Sequence, residues 1–169
     1  LARLSALTPE QSLIDLRAIT DEAVDRVYDV ARSQQVRVSV EGLDEPPLIA
    51  GDSSLLMRAI ANLLDNAIRY SPKSGVVRCS IRLKERSEAA TCDYLACTVA
   101  DQGPGIPPER LAALFQRFGP NDPSKELSAG LGLAFVKRAV DLMGGSITLE
   151  SATGGTTFVV ASPVAVSPE

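Results

Sequence analysis

Two amide side chains stand four residues apart in the segment "NLLDNAIRY", at Asn62 and Asn66. In a helix this spacing places both on one face, within or beside an apolar stripe where an amide is costly unless it has partners. One interpretation is structural, with both amides bonding main-chain groups. The other is chemical, because an amide oxygen suits Mg²⁺, which takes one or two protein ligands and draws the rest from phosphates and water.

An acidic residue and two glycines form the second candidate group, within "VADQGPGIPPE" (residues 99–109). Asp101 follows an apolar stretch and can accept a hydrogen bond from an exocyclic amine. Gly103 and Gly105 have no Cβ, so the main chain there can approach a planar ring closely. The alternative interpretation is a turn that leads into a helix with Pro107 at its first position.

A third group lies in "SAGLGLAFVKRAV" (residues 128–140), where Gly130 and Gly132 are predicted to stand at the point where a loop becomes a helix. The unpaired N–H groups and the helix dipole favour phosphate there, although a glycine-rich helix start without a ligand fits equally well. The sequence has no G-x-x-x-x-G-K-[ST] motif, and Phe135 stands where a dinucleotide fingerprint needs its third glycine. Taken together, the three groups suit a purine, a triphosphate and its metal.

Composition narrows the class of protein. The chain has 169 residues, of which 45% are apolar, and a net charge of −4, which predicts one globular domain and argues against nucleic acid as the main partner. No apolar run approaches the roughly 18 residues needed to span a bilayer, so direct membrane contact is not expected. Cys79, Cys92 and Cys97 lack C-x-x-C spacing and are predicted to be core thiols of a reducing compartment, rather than a metal site or a disulfide.

Hydrophobic periodicity predicts the elements that must position these groups. Helices are predicted over residues 13–34, 53–70, 107–118 and 133–143, the second with Asp52 as its N-cap. Strands are predicted within residues 36–40, 77–83, 95–99, 144–151 and 155–162. A charged connection (84–93) and a polar loop (119–130) complete the chain. Because helices and paired strands are mixed, an α+β fold is favoured over a purely parallel doubly wound sheet.

The order of "NLLDNAIRYSP", "DQGPGIP", "LFQRF" and "GLGLAFVKRAVDLMGGSITLESATGGTTF" resembles the N, G1, F and G2 boxes of the histidine-kinase ATP-binding domain. That domain belongs to the superfamily that unites gyrase, the heat-shock chaperone, histidine kinases and mismatch-repair ATPases (GHKL). The resemblance covers about residues 13–162, so residues 1–12 are expected to be the remnant of a preceding helix or linker and residues 163–169 a C-terminal tail. It implies a two-layer α/β sandwich, with a mixed sheet of about five strands and three main helices on one face.

The resemblance also implies ATP and Mg²⁺ as ligands and assigns roles to individual residues. Asn66 is the implied Mg²⁺ ligand, and Asn62 lies beside the phosphates. Of the other ATP-binding positions that it implies, Arg69 and Tyr70 lie at phosphate and base, and Asp101 contacts the adenine amino group. Gly103, Gly105 and Ile106 surround the adenine, and Thr156 lies toward the adenine end. The main chain of Gly130, Leu131, Gly132 and Leu133 binds the phosphates.

The implied activity is that of a protein-histidine kinase catalytic domain, which transfers the γ-phosphate of ATP to a histidine on a separate dimerisation domain. Hydrolysing relatives carry a glutamate four residues before the metal-binding asparagine; here that position is Asn62, an amide with no useful basicity, so transfer is favoured over hydrolysis. No residue is assigned a certain catalytic role. Alternatives that stay open are an ATP-binding regulatory module derived from a kinase, an anti-sigma-type serine kinase and a hydrolase.

The expected partners follow from the same resemblance. The chain contains no histidine and so cannot be its own phosphate acceptor; it begins with Leu1 rather than Met and is expected to be part of a longer protein. The dimerisation domain of that parent and a response regulator are the expected partners. The chain itself is expected to be monomeric and cytoplasmic, with or without membrane anchoring of the parent.

Overall fold

The computed structural model describes residues 11–84, 93–105, 128–152 and 155–165. Within these ranges one mixed sheet has the strand order β2-β4-β5-β7-β6, in which β2 and β4 are parallel and the other neighbours antiparallel. Its strands are β2 (Arg37–Gly42), β4 (Val76–Lys84), β5 (Tyr94–Ala100), β6 (Ser146–Ala152) and β7 (Gly155–Pro163). The predicted α+β class and the five-stranded mixed sheet are confirmed.

Helices cover one face of this sheet. The described helices are α1 (Leu16–Arg26), α2 (Tyr28–Gln34), α3 (Ser53–Tyr70) and α4 (Ser128–Leu142). Alternate residues of β4, such as Val77 and Ile81, are buried against the helices, whereas Arg78 and Arg82 on the opposite face are exposed. Helix α3 packs against α1, α2 and α4, so the helix that carries both asparagines lies at the centre of its layer.

Helix α3 has the predicted bounds. Its N-cap is Asp52, whose side chain accepts hydrogen bonds from the N–H groups of Ser54 (3.0 Å) and Leu55 (3.2 Å). These bonds satisfy donors that have no partner within the helix, which is why the helix begins here. Its apolar stripe supplies much of the core: Leu55, Leu56, Ile60, Leu63, Leu64, Ala67 and Ile68 are all buried.

The single helix predicted over residues 13–34 is wrong in two places. Residues Ser12–Ile14 form strand β1, which pairs antiparallel with β3 (Ile49–Gly51). The following helix begins only after Asp15, whose side chain accepts from the N–H groups of Arg17 and Ala18 and so caps α1. The helix then divides at Val27, so α1 and α2 are separate.

Helix α4 begins at Ser128 rather than at the predicted residue 133. Glycine inside a helix costs about 1 kcal/mol relative to alanine, which is why the sequence predicted a loop through Gly130. Burial of Leu133, Val136 and Val140 in the core offsets that cost. The predicted short helix over residues 107–118 and the position of Ile106 lie outside the described residues.

Two of the cysteines are core thiols, as predicted. Cys79 and Cys97 are free and fully buried, and their sulfur atoms lie 3.7 Å apart. The hydrogen bond between them and burial raise the pKa of the Cys79 thiol well above its ordinary value. Cys92 lies outside the described residues.

Across the part of the chain that the structure describes, none of the helices combines the length and the apolar character needed to cross a membrane.

Candidate nucleotide site

The start of α4 lies beside the later half of α3, because the two helices pack antiparallel. At one end Gly51, just before α3, lies against Met143, just after α4, so closely that a Cβ on Gly51 would overlap the Met143 side chain. Farther along, Arg58 of α3 lies over the ring of Phe135, with Cζ 4.2 Å from the ring centroid. From the first contact to the second, the residue number rises from 51 to 58 on the α3 side and falls from 143 to 135 on the α4 side, so the two helices run in opposite directions. The same direction continued brings the first turns of α4 alongside Asn62 and Asn66.

Asn66 is buried, with 5% of its surface exposed, and its Nδ2 has no hydrogen-bond partner among the described residues. Burial of an amide group without a hydrogen-bond partner costs about 1–3 kcal/mol, so Asn66 Nδ2 is left unsatisfied by the part of the chain that the structure describes. Rotation of the amide by 180° about χ2 exchanges its nitrogen and oxygen, and would place Oδ1 in the unpartnered position. An oxygen there suits Mg²⁺. The residue therefore fits the role of a metal ligand that its position in the "NLLDNAIRY" segment implies.

The described residues contain no group of three or more histidine, cysteine, aspartate or glutamate side chains that could hold a metal ion. Within the described residues, a cation at Asn66 would have no such cluster to complete its ligand set. Mg²⁺ commonly binds without one, with phosphate oxygens and water completing its octahedral shell.

The end of α3 carries an ion pair on its surface. Arg69 donates from Nε to Asp65 Oδ2 at 2.8 Å, one helical turn earlier. Half of the Arg69 side chain is exposed, so the pair contributes little to stability; it orients the guanidinium along the helix. Asn62 is half-buried, whereas Tyr70, at the end of the helix, is exposed. Their roles at phosphate and base stay predictions.

Asp101 forms a tight corner with the glycine that follows two residues later. Its Oδ1 accepts a hydrogen bond from the Gly103 N–H at 2.8 Å, which fixes the orientation of the carboxylate. Gly103 in turn packs against the main chain of Tyr70, since a Cβ would lie 2.5 Å from the Tyr70 oxygen. Gly105 has φ +84°, a left-handed conformation that favours glycine. The corner is thus attached to the last turn of α3.

Two further contacts hold this corner, and neither was predicted. The Gln102 side chain accepts a hydrogen bond from the Val76 N–H at 2.9 Å, which ties the corner to the start of β4. A Cβ on Gly155, at the start of β7, would collide with the main-chain oxygen of Asp101. In the sequence Gly155 is the first residue of a predicted strand, and no local pattern signals that it approaches Asp101.

The remaining predicted positions are described only in part. Gly130, Leu131 and Gly132 lie in the first turns of α4, and Leu133 is buried. In a helix that begins at Ser128, the N–H groups of Gly132 and Leu133 can bond to the carbonyls four residues earlier, which leaves the N–H groups up to Gly130 for a ligand. Thr156 pairs with Ser151 in the β6–β7 ladder, one residue after Gly155 and hence beside the Asp101 corner.

These elements define a known family. The sequence model of the family described as "Histidine kinase-, DNA gyrase B-, and HSP90-like ATPase" matches residues 51–166, which include α3, the Asp101 corner and α4. The chain belongs to this family, and the resemblance seen in the four sequence boxes is confirmed.

The relatives are sensor histidine kinases. The chain is 36% identical over 165 residues to the sensor histidine kinase CusS of Escherichia coli. The alignment covers 93% of this chain and 32% of CusS, so the chain spans about a third of that relative's length. The solved structure of the mycobacterial sensor histidine kinase MprB matches with a TM-score of 0.73 and 31% identity, over 91% of this chain and 97% of that one. Full-length ShkA in complex with AMPPNP matches in fold, with a TM-score of 0.79 and 24% identity over 99% of this chain and 34% of that one.

Proposed function

We propose that this chain is the catalytic, ATP-binding domain of a sensor histidine kinase, which binds Mg²⁺-ATP and transfers the γ-phosphate to a histidine of a separate domain. Membership of the family and the likeness to CusS and MprB support the class of activity. The single observation that carries the proposal is the burial of the Asn66 amide, whose Nδ2 has no hydrogen-bond partner among the described residues, in the half of α3 beside which α4 begins.

The proposed nucleotide lies along the later half of α3. Its adenine occupies the Asp101 corner at the Tyr70 end of the helix, where the carboxylate accepts from the exocyclic amine and Gly103 and Gly105 add no side chain. Asn66 lies one turn before Tyr70, about 6 Å along the helix axis, so the phosphates extend from the corner toward Asn66 and the first turn of α4. ShkA, which has the same fold, was solved with AMPPNP, and this supports an adenosine nucleotide as the ligand.

Each group near the phosphates has a distinct task. Mg²⁺, when bound, neutralises phosphate charge, and Asn66 is the residue that would hold it. The main-chain N–H groups of Ser128, Ala129 and Gly130 bind the phosphates at the positive end of the α4 dipole. Arg69, oriented by Asp65, adds positive charge at the end of α3. Phosphoryl transfer needs this positioning and charge neutralisation more than covalent chemistry from the protein.

Transfer fits the residues better than hydrolysis. Asn62 offers an amide where a hydrolytic enzyme needs a base to activate water. Asp65, the carboxylate nearest to Asn66 along α3, is engaged with Arg69 at 2.8 Å. The chain has no histidine, so the acceptor belongs to another domain. We infer that this acceptor is the dimerisation domain of the parent protein, that a response regulator receives the phosphoryl group next, and that the chain by itself is a cytoplasmic monomer.

The test incubates the chain with Mg²⁺ and [γ-³²P]ATP, with and without a separately produced helical-hairpin domain that carries the acceptor histidine. Label on the hairpin that is acid-labile and alkali-stable supports the proposal. Acid-stable label would indicate a serine kinase, and free phosphate released without the hairpin would indicate a hydrolase. Nucleotide binding without transfer or hydrolysis would indicate a regulatory module. Each of these three outcomes would overturn the proposal. Lys137→Ala, which removes an exposed ion pair with Asp141 on α4, is the control variant and should transfer label normally.

A further inference from the structure

One contact between α3 and α4 is not explained by the proposed chemistry. The Arg58 guanidinium lies over the Phe135 ring, 4.2 Å from Cζ to the ring centroid, which is well within the range of a cation–π interaction. Phe135 is almost fully buried, whereas Arg58 is exposed. No ion pair of Arg58 is found among the residues that the structure describes, so the aromatic face is the partner of its charge.

The position of this contact relates it to the candidate site. Arg58, Asn62 and Asn66 succeed one another at intervals of four residues, so they lie on one face of α3. On α4, Leu131 and Gly132 precede Phe135 by four and three residues and share its face of the helix. Because the helices are antiparallel, the turn after Arg58 lies beside the turn before Phe135. The Arg58–Phe135 contact therefore lies about one turn of each helix away from the proposed phosphate site.

Apolar packing fits α4 against α3, and the Arg58–Phe135 contact adds a directional constraint to that packing. Leu63, Val136 and Ala139 are buried in the core, where side chains interdigitate closely. A cation over an aromatic face has a defined geometry, and Arg58 reaches Phe135 from outside the core. The contact can thus favour one rotation and one shift of α4 relative to α3 without contributing much to the stability of the domain.

We propose that Arg58 is a positioning residue for nucleotide binding: through the ring of Phe135 it holds the start of α4 opposite Asn62 and Asn66. This role rests on the proposed function. Arg58 acts on the phosphates through the setting of α4, and the adenine corner, which is attached to the other end of α3, does not depend on it.

The test is a double-mutant cycle with Arg58→Met, Phe135→Leu and the double variant. For each, calorimetry gives the affinity for Mg²⁺-ATP, an NMR titration gives the affinity for adenosine, and thermal melting monitors the fold. Arg58→Met and Phe135→Leu should each weaken ATP binding roughly two- to fivefold, the size expected for an exposed cation–π contact, and leave adenosine binding unchanged. The double variant should be no weaker than either single one. Arg138→Met, which removes an exposed arginine from α4, is the matched control and should bind ATP normally.

Unchanged ATP affinity in Arg58→Met would overturn the role of Arg58. So would equal losses for ATP and adenosine accompanied by a lower melting temperature, because that pattern reports only a weakened fold. Additive losses in the double variant would show that the two residues act separately. If the unaltered chain bound no ATP, the proposed function itself would fail, so the two failures are distinguishable.

Discussion

Gly103 packs directly against the main-chain oxygen of Tyr70, at a distance where a Cβ would lie 2.5 Å from that oxygen. The contact joins the Asp101 corner to the last turn of α3, four residues after Asn66. Because the neighbour is main chain within a helix, it cannot move aside as a flexible side chain would. The proposed adenine pocket and the proposed metal ligand are therefore held in one rigid unit.

Replacement of Gly103 by alanine tests this unit. The added methyl group would force the corner away from α3, so we expect a lower melting temperature together with at least about tenfold weaker ATP binding, as for loss of a hydrogen bond to a charged group. Gly144→Ala is the control: Gly144 has φ +72° and no atom near its Cβ position, so this variant strains the fold without touching the corner. It should melt earlier and bind ATP normally. Normal ATP binding by Gly103→Ala would contradict the prediction.

Replacement of Asn66 by alanine should abolish Mg²⁺-dependent ATP binding and leave the fold intact. The variant removes the amide oxygen that would hold the ion. It also removes a buried amide nitrogen that has no partner among the described residues, and the cost of about 1–3 kcal/mol for burying that group offsets the lost packing. Thr20→Val removes the other buried side-chain atom that lacks a partner among the described residues, and should leave binding unchanged. Calorimetry with and without Mg²⁺ measures the affinity for ATP. Equal ATP affinity in Asn66→Ala and in the unaltered chain would exclude Asn66 from the site.

Replacement of Asp101 by asparagine should reduce recognition of the base selectively. One oxygen remains to accept from the Gly103 N–H, so this hydrogen bond of the corner is kept. The other oxygen becomes an amino group that cannot accept from adenine, so ATP affinity should fall at least about tenfold. The affinity for purine riboside triphosphate, which lacks the 6-amino group, should fall much less. Similar losses for both nucleotides would show that the carboxylate does not contact the amino group; Asp141→Asn, on the exposed side of α4, should affect neither.

The stability of the domain should decline at alkaline pH because of Cys79. Its pKa is raised in the folded chain by the hydrogen bond to Cys97 and by burial, whereas in the unfolded chain the pKa of the thiol is about 8.5. Below that pH both states keep the proton and the contribution is constant. Above it only the unfolded state loses the proton, so the free energy of unfolding falls by up to about 1.4 kcal/mol per pH unit. Urea titrations between pH 7 and 10 should show a smaller decline in Cys79→Val; identical declines would refute the assignment.

The sequence predicts best those elements whose signals are local. Helix α3 has a wide apolar stripe and a capping aspartate, and its bounds are as predicted. Strand β1 was missed because it has three residues, too few for a period to show, and because Leu13 within it is 63% exposed. The start of α4 was missed because glycine propensity was overridden by burial of the leucine and valine positions that follow.

The same distinction applies to the candidate site. The spacing of Asn62 and Asn66 and the composition of the Asp101 corner are visible in the sequence. The contacts of Gly155 with Asp101, Gly103 with Tyr70 and Arg58 with Phe135 are not, because each joins residues far apart in the chain. Which faces meet depends on how the layers pack, and periodicity within one element does not specify it.

Strand β3 is bordered on both sides at Ile49, by Ile14 of β1 and by Val164 just after β7. The first and last described strands therefore flank one residue, about 10 Å apart at twice the usual strand spacing. A glycine linker that joined Ser12 directly to Ala165, without the residues beyond them, would have to span little more than this distance, so a circular permutation at this point should preserve the fold.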